Sequence, residues 1–96
     1  MDELYQAEWC AHSSRVRQRF TELGVSFIAR PVPAERADRE ELRRKTGSDG
    51  IPALLVEDGT VINKDADEII AYLDRRYNER TDSQQHRDLA DQHADT

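Results

Sequence analysis

The chain has 96 residues, of which 36% are hydrophobic and 35% are charged, and its formal net charge is −6 at pH 7. This length suits one domain with a modest core, and the acidic balance argues against nucleic acid or an anionic membrane as the main partner. No apolar run approaches the ~20 residues of a membrane helix, and Asp2 and Glu3 are not typical of a signal peptide. We therefore expect a soluble, cytoplasmic and monomeric protein.

Apolar periodicity and turn residues divide the chain into alternating strands and helices. The predicted elements are a strand over 3–6, a helix over 11–23, a strand over 25–28, a helix over 36–46, strands over 53–56 and 61–62, and a helix that opens at 65. The order β-α-β-α-β-β-α starts with a parallel, right-handed βαβ unit and continues with a hairpin and a closing helix. It predicts an α/β domain with a four-stranded mixed sheet flanked by three helices.

Local signals support several of these boundaries. Gly24 is a typical C-terminal stop for the first helix. Asp58-Gly59 predicts the tight turn of the hairpin. Asp65 and Glu68 have the spacing of a capping box, which predicts the start of the last helix.

Two segments are too polar to bury much surface. The second helix is expected to bury only Ala37 and Leu42. From 79 to 96 the apolar side chains are limited to Leu89, Ala90 and Ala94, which cannot offset the entropy of ordering the segment. We therefore predict a domain over residues 1–78 and a polar, disordered tail over 79–96.

No metal site is expected from the histidines. His86 and His93 lie seven residues apart in the predicted tail, and two ligands without further support do not make a stable site.

Cys10 is the only cysteine, so an internal disulfide is excluded. It follows the first strand and opens the first helix, where unpaired backbone N–H groups and the helix dipole favour a thiolate. We predict a partly exposed thiol with a pKa below the ordinary value of about 8.5. The alternative is a small, buried and unreactive hydrophobic residue.

Three motifs occur together in a set order. Cys10 opens the first helix, Thr46-Gly47 comes shortly before Ile51-Pro52, and Asp65-Ala66-Asp67 opens the last helix. Over residues 3–77 the chain resembles the glutaredoxin family and the related N-terminal domain of glutathione S-transferases. The resemblance implies a thioredoxin-like fold.

The resemblance also implies a binding site for glutathione beside Cys10. In this family Pro52 is preceded by a cis peptide bond, and the backbone of Ile51 pairs with the cysteinyl part of glutathione. Arg39 matches the position that contacts the glycine carboxylate, a task that suits a guanidinium. The alternative for Arg39 is a solvated charge on a helix.

The start of the last helix matches the part of this site that binds the γ-glutamyl group. The first-turn amides at Asp65 and Ala66 would hold its carboxylate, as helix N-termini do for anions. Asp67 would contact its ammonium group. The alternative for Asp65 is a simple helix cap.

The chain also departs from the family pattern. Cys10-Ala11-His12-Ser13 replaces the usual Cys-Pro-Tyr-Cys, so the second cysteine is missing and only a monothiol reaction is open. Ser13 is a candidate hydrogen-bond donor to the Cys10 thiolate. His12 is either a cation near the thiolate or a solvent-facing helix residue.

Three further positions differ around the expected thiol site. Ala7 replaces the usual lysine before the cysteine, Asn63-Lys64 replaces a glycine pair, and Ala66 stands where transferases have a serine. Another low-molecular-weight thiol, or a protein thiol, would therefore fit this rim as well as glutathione.

Three functions are open at this point. The first is a monothiol glutaredoxin-like oxidoreductase that acts on protein mixed disulfides through Cys10. The second is a module that binds a thiol or an iron–sulfur cluster, and the third is a non-catalytic scaffold with an inert cysteine. A complete transferase is not expected, because no second helical domain follows Tyr77.

Overall fold

A computed structural model describes residues 1–63 and 65–94. Lys64, which was predicted to replace a family glycine, lies outside the described residues, as do residues 95 and 96 of the predicted tail. The elements are β1 (Glu3–Gln6), α1 (Ala11–Leu23), β2 (Ile28–Pro31), a 3₁₀ turn (Arg36–Asp38), α2 (Glu40–Thr46), β3 (Ala53–Leu55), β4 (Val61–Ile62), α3 (Ala66–Arg76) and α4 (Ser83–His93).

The four strands form one mixed sheet in the order β2-β1-β3-β4. β1 is parallel to β2 and antiparallel to β3, and β4 returns antiparallel to β3. The parallel pair and the hairpin are those predicted, so the thioredoxin-like α/β fold is confirmed. α4 adds a fourth helix to the three expected.

Alternation along the two central strands divides the core between the two faces of the sheet. Leu4 of β1 and Leu54 of β3 point to the face that α1 and α3 cover. Tyr5 and Ala53, one position along each strand, point to the other face, where Leu42 of α2 packs. This is the period of two that strand geometry imposes.

The second strand begins later than predicted. β2 pairs with β1 from Ile28, whose amide donates to the carbonyl of Asp2, and every β2 residue is exposed on this edge. Val25 and Phe27, predicted as strand residues, instead pack against the core as a connection, with Phe27 stacked on Phe20. The apolar pattern correctly predicted that Val25 and Phe27 pack against the core. The bounds of the strand, however, depend on its pairing with β1.

The second helical segment differs from the prediction in its buried residues. Leu42 is buried as expected, but Ala37 is exposed because it lies in the 3₁₀ turn before α2. Arg39, between the turn and the helix, is only 5% exposed.

The prediction of a disordered tail is wrong for residues 83–93, which form α4. α4 packs beside α1, and Arg87 of α4 forms an ion pair with the buried Glu22 of α1. Polar contacts rather than an apolar stripe hold this helix, so hydrophobic pattern analysis did not detect it.

The predicted helix ends at Gly24 and Asp65 are confirmed. Gly24 adopts a left-handed conformation with φ 68°, which glycine tolerates without a Cβ clash. The Asp65 side chain accepts a hydrogen bond from the amide of Glu68 at 2.8 Å and caps α3.

Candidate functional site

A tight turn after β1 places Cys10 at the start of α1. The amide of Cys10 donates to the carbonyl of Ala7 at 3.1 Å, and Cys10 itself has extended N-cap geometry with φ −82° and ψ 116°. Its sulfur accepts a hydrogen bond from the amide of Ser13 at 3.5 Å. The thiol therefore occupies the capping position where helices offer free N–H groups.

Cys10 is 9% exposed, less than predicted, because capping turns its sulfur toward the first turn of the helix. Burial alone raises the pKa of the thiol. Hydrogen bonds from the Ser13 hydroxyl and from the backbone amides of Ser13 and His12, together with the positive charge of Arg17, outweigh that effect and hold the Cys10 pKa below its ordinary value. These groups favour the thiolate, which is the nucleophilic form.

The Ser13 side chain is fully buried beside Cys10. Its hydroxyl makes no hydrogen bond of ordinary geometry to any other described group, yet it lies near enough to the sulfur to lower the Cys10 pKa. A thiolate is a stronger acceptor than a thiol, so formation of the thiolate gives this hydroxyl a partner.

Arg17 supplies a cation that sequence analysis missed. Ala7 had suggested that no positive charge replaces the usual lysine, but the Arg17 guanidinium reaches back along α1 and donates to Gln6 and to the carbonyl of Ala7. Arg17 is seven residues after Cys10, which is two helical turns on the same face. That spacing was the available signal.

His12 and Trp9 flank the thiol and are both exposed. His12 faces solvent, and its contribution to the Cys10 thiolate is its backbone amide. The Trp9 ring is 70% exposed and forms an apolar surface directly before the cysteine.

The Ile51-Pro52 peptide bond is cis, as predicted. β1 and β3 pair Tyr5 with Ala53, so one further step of the antiparallel register sets Pro52 opposite Gln6. The cis bond therefore lies at the same end of the sheet as the turn that carries Cys10. Pro52 is buried, and Ile51 is half-buried.

The start of α3 holds the other predicted site residues. Asp65 is exposed and acts as the cap, whereas Ala66 is only 2% exposed and packs in the core. Asp67 is exposed and accepts a hydrogen bond from the Arg15 guanidinium at 2.5 Å, which joins α3 to α1. A ligand ammonium at Asp67 would share this carboxylate with Arg15.

Arg39 is neither a solvated charge nor a freely accessible one. Its guanidinium donates to the backbone carbonyls of Pro33 at 2.8 Å, Asp49 at 3.0 Å and Ala34 at 3.2 Å. These bonds tie the loop after β2 to the loop that leads to Pro52. Arg39 thus holds these two loops together from a buried position.

The sequence profile of "Glutathione S-transferase, N-terminal domain" matches residues 4–81. This chain belongs to that family. The match spans β1 to α3, and so includes Cys10, the cis bond and the start of α3.

The chain is also similar in sequence to a glutaredoxin. Glutaredoxin 3 of Escherichia coli strain K12 is 29% identical over 55 residues, which are 57% of this chain and 66% of that protein. The chain thus matches slightly less than two thirds of this curated relative.

Solved structures show the same fold. A delta-class glutathione transferase of Nilaparvata lugens matches with a TM-score of 0.71 and 21% identity, over 86% of this chain and 38% of its own. Glutaredoxin 2 of Salmonella typhimurium, solved in complex with glutathione, matches with a TM-score of 0.67 and 19% identity, over 77% of this chain and 33% of its own.

The described residues contain neither a cluster of metal ligands nor a membrane-spanning helix. Among residues 1–63 and 65–94, no three His, Cys, Asp or Glu side chains lie together as metal ligands. Within the same ranges, no helix has both the length and the apolar character to cross a membrane.

Proposed function

We propose that this domain catalyses glutaredoxin-type exchange of mixed disulfides between protein cysteines and a low-molecular-weight thiol, with Cys10 as the only nucleophile. The observation that carries this proposal is the Cys10 thiol at the N-cap of α1, with its pKa held below the ordinary value. The relatives named above support the thiol chemistry at the level of the family.

The reaction needs two thiol–disulfide exchanges. The Cys10 thiolate attacks the sulfur of the small thiol in the mixed disulfide, and the protein cysteine leaves as a thiolate. A second small thiolate then attacks the disulfide on Cys10, which releases the oxidised small thiol and restores the Cys10 thiolate. Each step breaks one S–S bond and forms another, so no further oxidant or reductant enters.

The same proposal assigns the binding of the small thiol to groups around Cys10. The backbone of Ile51, before the cis bond, would pair with the cysteinyl part. The amides at Asp65 and Ala66 would hold the γ-glutamyl carboxylate, and Asp67 its ammonium. These assignments rest on the family resemblance and on the sheet register that sets the cis bond beside the Cys10 turn.

Arg39 is given a double role in this proposal. Three of its five N–H groups bond to backbone carbonyls, which leaves two for the glycine carboxylate. Its 5% exposure limits access, so its main effect is to hold the loop beside the ligand.

Glutathione is the first thiol to test, because a glutaredoxin neighbour was solved in complex with it. Thiol exchange of this kind needs a reducing compartment, so we propose that the domain acts in the cytoplasm. We also propose that it acts as a monomer. If mycothiol reacts and glutathione does not, the mechanism stands with a different thiol.

The test is the reduction of a glutathionylated peptide by glutathione, followed through release of oxidised glutathione. Wild-type protein is expected to accelerate the reaction, and Cys10→Ser to abolish it. Intact mass spectrometry should show the small thiol on Cys10 in wild-type protein only. Absence of both the acceleration and the adduct with every small thiol tried would overturn the proposal.

The burial of Cys10 favours one other candidate, a thioredoxin-fold binding module with an unreactive cysteine. Iodoacetamide distinguishes the two, since a module of that kind would react no faster than free cysteine. An iron–sulfur module would instead show visible absorbance bands after anaerobic purification.

A further inference from the structure

A cavity lies between the edge strand β2 and the helix α2. The cavity has a volume of about 390 Å³, and Cys10 is not part of its lining. Its lining includes Tyr5 from β1, Val32 and Pro33 from the loop after β2, Asp38 from the 3₁₀ turn, and Glu41 and Leu42 from α2. Of the residues assigned to thiol exchange, Arg39 is the one that also lines this cavity.

Tyr5 forms part of the cavity wall and is 2% exposed. Its hydroxyl is buried and forms no hydrogen bond of ordinary geometry with any group in residues 1–63 and 65–94. Burial and the negative charges of Glu41 and Glu3 raise the pKa of Tyr5, and the Glu41 carboxylate lies near enough to the hydroxyl to add to this effect, so the hydroxyl is neutral. A buried hydroxyl without a partner is uncommon, and a ligand that donates to its oxygen would satisfy it.

The cavity lining carries two cations and two carboxylates, which differ in whether they have partners within the chain. Arg30 forms an ion pair with Glu3 at 2.7 Å, and Arg39 donates to three backbone carbonyls, so both cations already have partners. Asp38 and Glu41 form no ion pair with any described residue. Apart from the two N–H groups of Arg39 that are assigned above to the glycine carboxylate, the groups that remain for a ligand are two carboxylates and one neutral hydroxyl.

We propose that this cavity binds a single cationic group, an alkylguanidinium or an alkylammonium, whose N–H groups donate to the Tyr5 hydroxyl oxygen and to the Glu41 carboxylate. Val32, Pro33 and Leu42 contact the alkyl chain of the ligand. This inference is independent of the proposed function, since it assigns no step of thiol exchange to the cavity. The same chemistry occurs in an arginine or lysine side chain of a peptide and in a free amine.

The test is titration of the full chain with Nα-acetyl-arginine methylamide and, separately, with agmatine, followed by NMR of the backbone amides. Saturable shifts confined to residues 30–33 and 38–42 are expected. Shifts with the amide alone identify a peptide side chain as the source, and shifts with agmatine alone identify a free amine. Nα-acetyl-citrulline methylamide, which is neutral and of similar shape, should bind at least tenfold more weakly than its arginine counterpart.

Two variants test the assigned contacts. Tyr5→Phe and Glu41→Gln should each weaken binding by about tenfold to a hundredfold, the range for loss of one hydrogen bond to a charged group. Glu35→Gln removes the same charge from an exposed residue outside the cavity lining and should leave affinity unchanged. Tyr5→Phe should not lower the melting temperature, because its hydroxyl has no partner within the described structure.

Three results would overturn the proposal. They are an absence of saturable shifts with both probes, equal binding of the citrulline compound, and equal weakening by Glu35→Gln and Glu41→Gln. The last two would indicate general attraction of cations to an acidic protein.

Discussion

The amide of Ser13 donates a hydrogen bond to the sulfur of Cys10 at 3.5 Å, so the candidate nucleophile is also the N-cap of its own helix. In most helices a serine, threonine, aspartate or asparagine fills that position. A cysteine there links helix capping to thiol ionisation, because the same amide that caps the helix favours the thiolate.

Arg17→Gln should raise the pKa of Cys10, because it removes the positive charge that helps to hold it below the ordinary value. The measurement is the rate of alkylation by iodoacetamide as a function of pH. Arg15→Gln is the matched control, since Arg15 lies on the same helix but pairs with Asp67. Equal midpoints for wild type and Arg17→Gln would show that Arg17 does not act on the thiol.

The stability of the protein should depend on pH through Cys10. Its pKa is lower in the folded protein than in the unfolded chain, where the value is about 8.5, so the unfolded state binds more protons between these two values. The difference in free energy of unfolding between wild type and Cys10→Ser should therefore increase as pH rises across that window. The stabilisation should disappear as pH falls through the folded pKa. Urea titrations of both proteins at several pH values measure it. A flat difference would mean that the thiol ionises equally in both states.

Ser13→Ala should reduce the rate of thiol exchange by about tenfold or more without abolishing it, because one hydrogen bond to a charged group contributes about 1.5–3 kcal/mol. The folded thiol state should be little affected, since the Ser13 hydroxyl makes no regular hydrogen bond among the described groups. Initial rates with a glutathionylated peptide check this, with the exposed Ser14→Ala as control. Complete inactivity of Ser13→Ala would give Ser13 an essential part in the reaction.

Arg39→Ala should lower the free energy of unfolding by about 2–4 kcal/mol, because it leaves three backbone carbonyls without their charged donor. Urea denaturation measures the loss, and Arg44→Ala, an exposed position on α2, serves as the control. If both variants are equally stable, the three hydrogen bonds do not hold the loops. If Arg39→Ala also raises KM for the mixed disulfide, the loop or the guanidinium contacts the substrate.

Ser83→Ala should destabilise the protein, because the Ser83 hydroxyl donates to the carbonyl of Glu22 and anchors the start of α4 on α1. A loss of about 1–2 kcal/mol corresponds to a fall in melting temperature of about 4–16 °C for a chain of this size. Gln85→Ala, exposed on the same helix, is the control. Identical melting temperatures would show that the Ser83 hydrogen bond does not stabilise the domain.

Much of the fold could be predicted because its signals are local. The bounds of α1, the stop at Gly24 and the cap at Asp65 each depend on residues within one or two turns of one another. The place of Cys10 followed from the local strand and helix pattern, whereas the cis bond at Pro52 was implied by the resemblance to the glutaredoxin family. Such features need no knowledge of distant contacts.

The remaining features depend on contacts between residues far apart in the chain. The start of β2 depends on its partner β1, and the burial of Arg39 depends on carbonyls in two separate loops. From the sequence alone, Arg39 could equally be an exposed charge on a helix.

The sequence by itself determined the element order, the helix caps and a thiol at a helix N-terminus, because short-range backbone chemistry specifies these. Only the tertiary structure decided that α4 docks on α1, that Arg17 lies near the Cys10 thiol, and that the Tyr5 hydroxyl is buried without a regular hydrogen bond to any described residue. Each of these depends on which charges and carbonyls the packed elements bring together. Polar contacts of that kind leave no hydrophobic period in the sequence from which they could be predicted.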